Sequence, residues 1–506
     1  MALEQNFKEY SVAEFFKKNK QMLGFSGKTR SLTTIIHEYV TNSLDACEEH
    51  NILPNIRVEL DEVGDSKYKV VVADNGPGLP LSLIGKALGQ MLAGTKFHRH
   101  VQQRGQQGIG AAGCTMYAVL TTGKPVHVIT GYKNKMVSCD ISIDFKTNKP
   151  KIENVVESDS DFHGIIIEAE FGDVKFDKGQ YGALEYIRRS AIANPHLSIS
   201  LKTPDGNLVS FTRTVDKLPR KPKEIPPHPL GIKSHDMLEI AHSSRMPKLS
   251  QCLTTDLSRF SADKVKQLKD MLPDIDFSIP PKQLTWSQAE ELVKAFKRLK
   301  WIAPRTDILS PIGKEQITKS LSAILNPEVL SVAERPPKVL HGGIPYQVEA
   351  AVAYGGGIKS KGEIMRFANR APLLFDTAAC AITQVAKAID WKRYNLNGLD
   401  NDPLVVLVNV SSTYVPYTGA GKQAISAEEG LVDEIKNAIQ EAARGVKNHI
   451  RQKKKASEIE KKRKAFLRYV EQLSTDLSYL ANEDASVIKT GIQKIIDEKF
   501  GGGLNA

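Results

Sequence analysis

Three short segments of the 506-residue chain carry polar residues and glycines in an order that suits nucleotide chemistry. The first contains Glu38, Asn42 and Asp45, spaced four and three residues apart. On a helix, this spacing places all three side chains along one side. A carboxylate and an amide there could orient a water molecule and hold a hard cation through oxygen. The segment therefore predicts the polar, ligand-facing side of a helix.

The second segment contains Asp74, Gly76 and Gly78, directly after the β-branched run at 68–73, which predicts a buried strand. Asp74 could accept a hydrogen bond from an exocyclic amine such as that of adenine. The two glycines would let the backbone come close to a flat ring. Alone, the segment is also typical of a turn after a strand.

The third segment is a glycine-rich loop from Arg104 to Gly110, followed by a predicted helix over 111–120. A loop of this kind leaves backbone N–H groups free to cradle phosphates. It is not a P-loop, because no Gly-Lys-Ser/Thr follows it. Each segment alone has an ordinary structural explanation, but the ordered set of three predicts a nucleotide site.

Several elements must position these segments. Apolar residues at helical spacing predict the helix that carries Glu38, and they are Ile35, Ile36, Tyr39, Val40 and Leu44. Residues 26–215 alternate between strand-like and helix-like segments, which favours an α/β sandwich. The proline-rich stretch 217–229 predicts a stiff linker.

The middle of the chain, residues 230–305, predicts a small helical region. Apolar residues recur at helical spacing in four segments, 234–241, 249–257, 262–272 and 287–299. Ser261 and Thr285 stand where N-caps belong.

From residue 345 the pattern again indicates alternating strands and helices. Strands are predicted over 346–354, 364–375 and 404–410, with a crossover helix over 378–389, as in a split βαβ arrangement. A long helix is predicted from residue 427, with one apolar stripe formed by Leu431, Ile435, Ala438, Ile439, Ala442, Val446 and Ile450. Its charged distal half predicts that it projects from the domain or bridges to a partner.

Composition sets broad limits. Hydrophobic and charged contents of 41% and 25% are ordinary for a globular protein. No apolar run approaches the roughly 20 residues needed to span a bilayer, so we expect no membrane association. Five scattered cysteines without a CxxC pair indicate reduced thiols in a cytoplasmic protein. The net charge of +11 and a basic stretch at 451–464 suit a nucleic-acid partner, although a solvated helix face remains the alternative.

The ordered segments resemble the Bergerat-type (GHKL) nucleotide fold shared by gyrase, heat-shock chaperone, MutL and histidine kinase families. Further stretches resemble more narrowly the B-subunit family of archaeal type IIB DNA topoisomerases, topoisomerase VI. These stretches are 11–16, 24–25, 92–97, 104–110, 365–375, 390–394 and 419–425. The similarity runs from about residue 7 to about residue 475 and extends well outside the nucleotide site.

The resemblance implies an α+β protein with five parts. They are an N-terminal arm (1–25), a Bergerat-type α/β-sandwich ATPase domain (26–229), a helix-two-turns-helix-like middle domain (230–305), an α/β transducer domain with a long stalk helix (306–475) and a C-terminal tail (476–506). In the family, the arm straps onto the partner protomer. Here Phe7, Val12, Phe15 and Phe16 would do so, unless they cover their own domain.

The resemblance also implies residue roles around ATP and Mg²⁺. Glu38 would act as the general base and Asn42 would bind the metal. Asp74 would read adenine, with Gly76 and Gly78 beneath the ring. Lys422 would reach the γ-phosphate from the second domain, and a flexible surface loop is the alternative for it. The triphosphate would be held by Thr95, Lys96, Arg104, Gly105, Gln106, Gln107, Gly108, Ile109, Gly110 and Ala111.

One departure concerns the strand behind the adenine. The ATPase family carries Gly-Thr there, whereas this chain has Gly164 and Ile165. The expected hydroxyl contact to the base is therefore in doubt.

The implied function is that of the ATP-driven gate of a type II DNA topoisomerase. ATP would dimerise two copies, and a topoisomerase VI A subunit in an A2B2 heterotetramer would cut double-stranded DNA. No segment here resembles a DNA-cleaving tyrosine module. The alternatives are a MutL-like or a chaperone-like ATPase clamp without a cleaving partner. The segments around Trp391 and Lys422 argue against chaperones, and no phosphoacceptor helix precedes the ATP site, which argues against histidine kinases.

Overall fold

The computed structural model describes residues 18–92, 101–105, 108–144, 147–340, 342–358, 361–419 and 421–500. Its architecture is α+β, with two mixed sheets and a small helical module between them along the chain. The predicted arm, including Phe7, Val12, Phe15 and Phe16, lies outside the described residues. The same is true of Thr95, Lys96, Gln106 and Gln107.

The first unit is built on an eight-stranded sheet with the order β5-β4-β3-β6-β2-β1-β7-β8. Its strands are β1 (Asn55–Gly64), β2 (Lys67–Asp74), β3 (Val126–Tyr132), β4 (Lys135–Asp144), β5 (Lys149–Asp159), β6 (Gly164–Phe171), β7 (Ser198–Lys202) and β8 (Leu208–Phe211). Burial alternates along β1 and β4, because one face of the sheet packs on helices and the other does not.

Four α-helices among the described residues belong to this unit, α1 (Lys28–Glu49), α2 (Leu81–Gly89), α3 (Gly110–Thr122) and α4 (Ala183–Ala193). Leu32, Ile36, Val40 and Leu44 of α1 are buried in the core that α1 shares with α3, α4 and the sheet. The predicted stripe therefore positions α1 so that its other side faces the loop before α3.

The predicted linker forms no helix or strand between residues 218 and 228. After it, four helices form the helical module, α5 (Ser234–Ser243), α6 (Leu249–Asp256), α7 (Ala262–Met271) and α8 (Trp286–Arg298). They share a core of their own, separate from those of the sheets. Thr285 caps α8 through a hydrogen bond from Gln288 N, and Ser261 occupies the N-cap position of α7 without a side-chain bond.

The second unit is built on a six-stranded sheet, in which β10-β11-β14-β12-β13 are neighbours and β9 also pairs with β11. The strands are β9 (Val329–Glu334), β10 (Lys338–Leu340), β11 (Ile344–Tyr354), β12 (Glu363–Ala368), β13 (Ala371–Pro372) and β14 (Leu404–Ser412). Helices α9 (Lys314–Leu325), α10 (Ala381–Ala388), α11 (Glu429–Ala481) and α12 (Ala485–Phe500) complete it.

Both faces of this second sheet are covered. Val406 and Val408 of β14 pack in one core with α10 and α11, whereas Val405 and Leu407 pack in another core with α9. Every residue of β14 is consequently buried, as is typical of a strand between two helical layers.

The structure departs from the predicted elements in two places. The strand predicted over 364–375 is divided, because Asn369 and Arg370 adopt left-handed φ values of 49° and 67° and form a tight turn between β12 and β13. The long helix continues to Ala481, beyond the expected start of the tail at 476. Asn482, also left-handed with φ 54°, then lets α12 fold back along α11.

The two sheet units interlock. Leu374 and Phe375 of the second unit are part of the first unit's core, and Ile192 and Ala193 of α4 belong to the core around α9. Between these apolar contacts lie ion pairs, including Arg30 with Asp376 at 2.9 Å.

Candidate nucleotide site

The Glu38 carboxylate lies against the first residue of α3. A Cβ atom at Gly110 would sit 1.8 Å from Glu38 Oε2, so glycine is the residue that fits here. The N-cap residue Ile109 makes no side-chain hydrogen bond, and no described side chain is bonded to the first backbone N–H groups of α3, so these groups are available to a ligand. Helix N-termini of this kind attract anions. A carboxylate beside such an end could activate a water molecule next to a phosphate.

Asn42 is the exposed residue one turn further along α1, between buried neighbours. Its Oδ1 would lie 4.0 Å from a Cβ at Gly105, so the amide faces the loop that precedes α3. Within the described residues, neither the Glu38 carboxylate nor the Asn42 amide has a hydrogen-bond partner. Both groups are accessible to solvent, so both are available to a ligand.

Asp74, at the end of β2, is held by two donors. Gly76 N donates to Oδ1 at 2.8 Å, and the Ser43 hydroxyl donates to Oδ2 at 2.5 Å. Burial raises the pKa of Asp74, and both hydrogen bonds oppose that shift. Sequence reasoning missed Ser43. Its position beside Asn42 was the only available signal, because its partner lies 31 residues away.

The glycines after Asp74 are required by the chain's own packing. Gly78 has φ +70°, and a Cβ there would lie 1.9 Å from the Gly131 carbonyl oxygen. A Cβ at Gly76 would lie 2.9 Å from Asp74 Oδ1. These contacts explain why both positions are glycine, while the expected contact with an adenine ring remains a prediction.

Ile165 lies beside Asp74, since β6 pairs with β2 at this register. It brings no hydroxyl to the site, as the sequence indicated. On its other side Ile165 pairs with Thr130 of β3. The Thr130 hydroxyl is buried and accepts a hydrogen bond from Leu79 N at 2.7 Å, so its oxygen is already bound to the turn that follows Gly78.

Lys422 approaches α1 from the second unit. Burial lowers the pKa of His37, Glu38 raises it and Lys422 lowers it further. Lys422 and Glu38 therefore both lie within electrostatic range of the same imidazole. The neighbouring Gln423 fixes the loop, because its Oε1 accepts hydrogen bonds from Leu374 N and Phe375 N at 3.2 Å. Chain segments more than 380 residues apart thus come close to His37, the residue before Glu38.

The Arg104 side chain has partners inside the protein. Its guanidinium donates to Asp45 Oδ1 at 2.7 Å, to Glu48 Oε1 at 2.8 Å and to Asn194 Oδ1 at 2.6 Å. If Arg104 contacts a phosphate, its backbone N–H would therefore make that contact. Asp45, predicted to share the polar side of α1, is buried and turned toward this arginine.

The donor set suits a hard cation that brings its own ligands. In the described part of the chain, no group of three or more His, Cys, Asp or Glu residues could hold a metal. Asn42 Oδ1 offers one protein oxygen, and Mg²⁺ typically keeps several waters and phosphate oxygens beside one or two protein ligands. The residues present therefore fit a metal that arrives with a nucleotide.

All five cysteines lie in the described residues, where each is buried and unpaired. No helix among the described residues combines the length and the apolar character needed to cross a membrane.

Two family models match the chain. The model for the histidine kinase-, DNA gyrase B- and HSP90-like ATPase matches residues 30–168. The model for the topoisomerase VI B-subunit transducer matches residues 304–462. The first match lies within the first unit, and the second match includes the sheet of the second unit and part of α11.

Relatives match over nearly the full length. The B subunit of type 2 DNA topoisomerase 6 from Pyrococcus horikoshii is 43% identical, over 98% of this chain and 96% of its own. The protein of the same name from Methanothermobacter thermautotrophicus is 44% identical, over 95% and 94%. Among solved structures, the ATPase region of Saccharomyces cerevisiae topoisomerase II aligns with a TM-score of 0.42 at 9% identity, over 88% of this chain and 99% of that one.

Proposed function

The chain belongs to the family of type 2 DNA topoisomerase 6 B subunits, and from this membership we propose that it is the ATP-binding and ATP-hydrolysing subunit of a type IIB DNA topoisomerase. In this role it is part of an ATP-dependent isomerase. Nucleotide-driven dimerisation gates the passage of one DNA duplex through a break that the partner A subunit makes, which relaxes supercoils and separates linked circles. Full-length similarity to B subunits favours this function over a MutL-like or chaperone-like clamp.

The observation that carries the proposal is that Glu38 lies against the first residue of α3, while Lys422 of the second unit lies within electrostatic range of the adjacent His37. Glu38, without a partner among the described residues, accepts the proton of the attacking water. The N–H groups of Gly108 to Ala111 and the Lys422 ammonium stabilise charge on the phosphates. Lys422 comes from the second unit, so its contact with a γ-phosphate would report hydrolysis to that unit.

Asp74 accepts the adenine amine, with its carboxylate oriented by Ser43 and Gly76. Asn42 would hold Mg²⁺, and the bound ion would supply positive charge to the phosphate oxygens. Thr95, Lys96, Gln106 and Gln107 complete the triphosphate site in this proposal, although they lie outside the described residues.

The stalk formed by α11 and α12 is the proposed docking element for the A subunit. The two helices run antiparallel, joined by Arg463 with Asp497 at 2.9 Å and Lys489 with Glu471 at 2.6 Å. Large apolar residues stay exposed on this pair, and they are Phe466, Tyr469, Leu473, Leu477, Tyr479, Leu480, Val487 and Ile495. Apolar surface of this kind suits a protein partner, and the basic stretch at 451–464 suits the DNA backbone.

We also propose that the predicted boundaries, 1–25, 26–229, 230–305, 306–475 and 476–506, approximate the functional parts, with the stalk helix of the fourth part continuing to Ala481. The separate core of the helical module supports its division from the sheets. The arm at 1–25 would strap onto the partner copy.

Sedimentation of the purified full chain tests the gating function. The chain should be mainly monomeric without nucleotide and dimeric with Mg²⁺ and a nonhydrolysable ATP analogue. Deletion of residues 1–20 should weaken the dimer, and Glu38→Ala should still dimerise because the base is not needed for binding. An unchanged mass with and without the analogue would exclude nucleotide-gated dimerisation. With the A subunit, relaxation of supercoiled DNA should require ATP.

A further inference from the structure

We propose that Glu48 and Arg370 are positioning residues. They would transmit a nucleotide-dependent shift of the glycine-rich loop before α3 to the second unit. This inference rests on the proposed function. Hydrogen bonds to the Glu48 carboxylate on α1 come from Arg104 on the loop before α3, His196 after α4 and Arg370 in the turn between β12 and β13. These four residues form what we call the Glu48 junction.

The Glu48 carboxylate accepts three hydrogen bonds from three different segments. Arg104 Nη2 and His196 Nε2 donate to Oε1 at 2.8 and 2.9 Å, and Arg370 Nη2 donates to Oε2 at 2.7 Å. Arg104, His196 and Arg370 are all buried. The junction therefore connects the loop, the helix that carries Glu38 and the second unit through a single carboxylate.

The charged groups of the junction stabilise one another. Burial alone would raise the pKa of Glu48, but Arg104, Arg370 and the His196 hydrogen bond outweigh it and hold that pKa well below its usual range. Burial lowers the pKa of His196, so a neutral ring donates from Nε2. Loss of one arginine would leave a buried carboxylate only partly compensated, which makes the arrangement sensitive to the position of each partner.

The residues just before Arg104 are also tied to the second unit. Gln102 exchanges two hydrogen bonds with the backbone of Ser310, from Nε2 at 2.8 Å and to Oε1 at 2.7 Å. The Gln103 carbonyl accepts from Asn369 Nδ2 at 3.0 Å. Three consecutive residues thus bind the second unit or the junction. Gly105 follows directly and faces Asn42, so a shift of the loop around a nucleotide must move these contacts.

The turn that presents Arg370 is held rigidly. Both of its residues adopt left-handed φ values, which non-glycine residues take only when the surroundings enforce them. Asn369 Oδ1 accepts from Ser412 N at 2.9 Å, and Arg370 N donates to Asn409 Oδ1 at 3.1 Å. Both partners belong to β14, so a force on Arg370 is applied directly to the central strand of the second sheet.

The junction also has space in which to change partners. A cavity of about 380 Å³ lies beside it, lined by Glu48, Arg104 and Arg370 and by Arg220 and Lys221 of the linker. Lys221 Nζ donates to the Glu49 carbonyl at the end of α1. The long side chains around the cavity can therefore move without repacking an apolar core, as a conformational switch requires.

Arg370→Gln tests the inference in the full chain with its A subunit, and Arg188→Gln is the matched control. Arg188 also bridges α4 to the second unit, through Glu363 at 2.9 Å, but no hydrogen bond or ion pair joins it to the described residues of the loop. The readouts are the affinities for ADP and for a nonhydrolysable ATP analogue, and the ATP hydrolysed per strand-passage event.

Arg370→Gln should keep ADP affinity within about twofold, weaken analogue binding about tenfold and raise the ATP consumed per passage about tenfold. Arg188→Gln should leave two ratios near their wild-type values, the analogue affinity relative to the ADP affinity and the ATP hydrolysed per strand-passage event. Wild-type values of these ratios in Arg370→Gln, or equal changes in both variants, would overturn the inference. If Arg370→Gln does not fold, Arg370→Lys, which keeps the charge with a single donor, should shift both ratios in the same direction, and wild-type ratios would overturn it. A wild-type chain without ATP-dependent dimerisation would instead exclude the proposed function.

Discussion

The polar side of helix α1, from Glu38 to Glu48, has two halves that use the same kinds of side chain in opposite ways. Glu38 and Asn42, in the first half of this polar side, face a loop and have no hydrogen-bond partners among the described residues. Asp45 and Glu48, one turn further on, are enclosed and bound to Arg104 at 2.7 and 2.8 Å. The same polar spacing therefore serves a ligand at one end and an internal connection at the other.

The difference teaches that a partner, and not a residue type, decides the role of a polar side chain on a packed helix. A buried carboxylate must be paired, because its desolvation is costly. A carboxylate that is left unpaired in a folded protein retains its capacity to bind. Four substitutions would break or sharpen this contrast, and they are described from the largest expected effect to the smallest.

Glu38→Ala removes the carboxylate of the open half. ATP hydrolysis should fall by about 10²- to 10⁴-fold, since a positioned general base contributes that much. Nucleotide binding should persist, because Asp74 is untouched. Steady-state ATPase assays and titration with an ATP analogue measure the two effects, and Glu157→Ala, an exposed carboxylate on β5, is the control. Normal turnover in Glu38→Ala would remove Glu38 from the mechanism.

Lys422→Ala removes the charge that the second unit brings to the open half. Hydrolysis should fall by roughly 10²-fold, as for the loss of one donor to a charged transition state. ADP affinity should change little. Lys422→Arg should not rescue activity fully, because a planar fork does not replace a compact ammonium. Full ATPase activity and full strand passage in Lys422→Ala would show that the loop carrying Lys422 is only a surface loop. Lys96 would then be the first alternative candidate for contact with the γ-phosphate.

Glu48→Gln removes a charge from the enclosed half and should act on stability. The pKa of Glu48 in the folded protein is well below its ordinary value of 4.5, so its contribution is fully present above pH 4.5 and is lost as the pH falls below that value. At pH 7 the variant should lose about 3 kcal/mol of unfolding free energy. The difference from wild type should shrink in urea titrations below pH 4.5.

Glu349 on β11 is the control, because its contribution to stability should change with pH in the opposite direction. Burial raises its pKa to about 6, so its contribution to stability is present below 4.5 and is lost as the pH rises through about 6. The stability of wild type relative to Glu349→Gln should therefore fall over this interval. The same sign of pH dependence for both variants would contradict the assignment of the two environments.

Ser43→Ala tests the boundary between the two halves. Its hydroxyl lies between Asn42 and Asp45 along α1 and orients Asp74. Its loss should cost about 1 kcal/mol, or about fivefold in nucleotide affinity. Ser320→Ala, which removes a buried hydroxyl bonded within α9, should leave affinity unchanged. Equal nucleotide affinity in Ser43→Ala and wild type would mean that Gly76 alone orients Asp74.

Elements with strong local patterns could be predicted from the sequence. The stripe on α1, the β-branched run of β2 and the four helices between 234 and 299 depend on neighbouring residues, and the structure contains each within about three residues of its expected bounds. Thr285 is likewise readable, since its capping partner Gln288 is three residues away.

Interactions between distant segments could not be predicted. Glu48 and Arg370 are 322 residues apart, and no local pattern indicates that they meet. The resemblance implies that Arg104 helps to hold the triphosphate, and no local pattern indicates that its guanidinium is also bound by Asp45 and Glu48. The turn at Asn369 and Arg370 was hidden within an apolar run, because left-handed conformations there depend on hydrogen bonds from β14.

The length of α11 has a mechanical consequence. Near Lys453, which pairs with Glu328 at 2.6 Å, the helix leaves the second sheet and continues to Ala481. At 1.5 Å per residue, this free portion is roughly 40 Å long, so tilting its base by about 10° would displace the tip by about 7 Å. The stalk is therefore a lever. A rotation too small to disturb the buried cores suffices to make or break a complete contact at its far end.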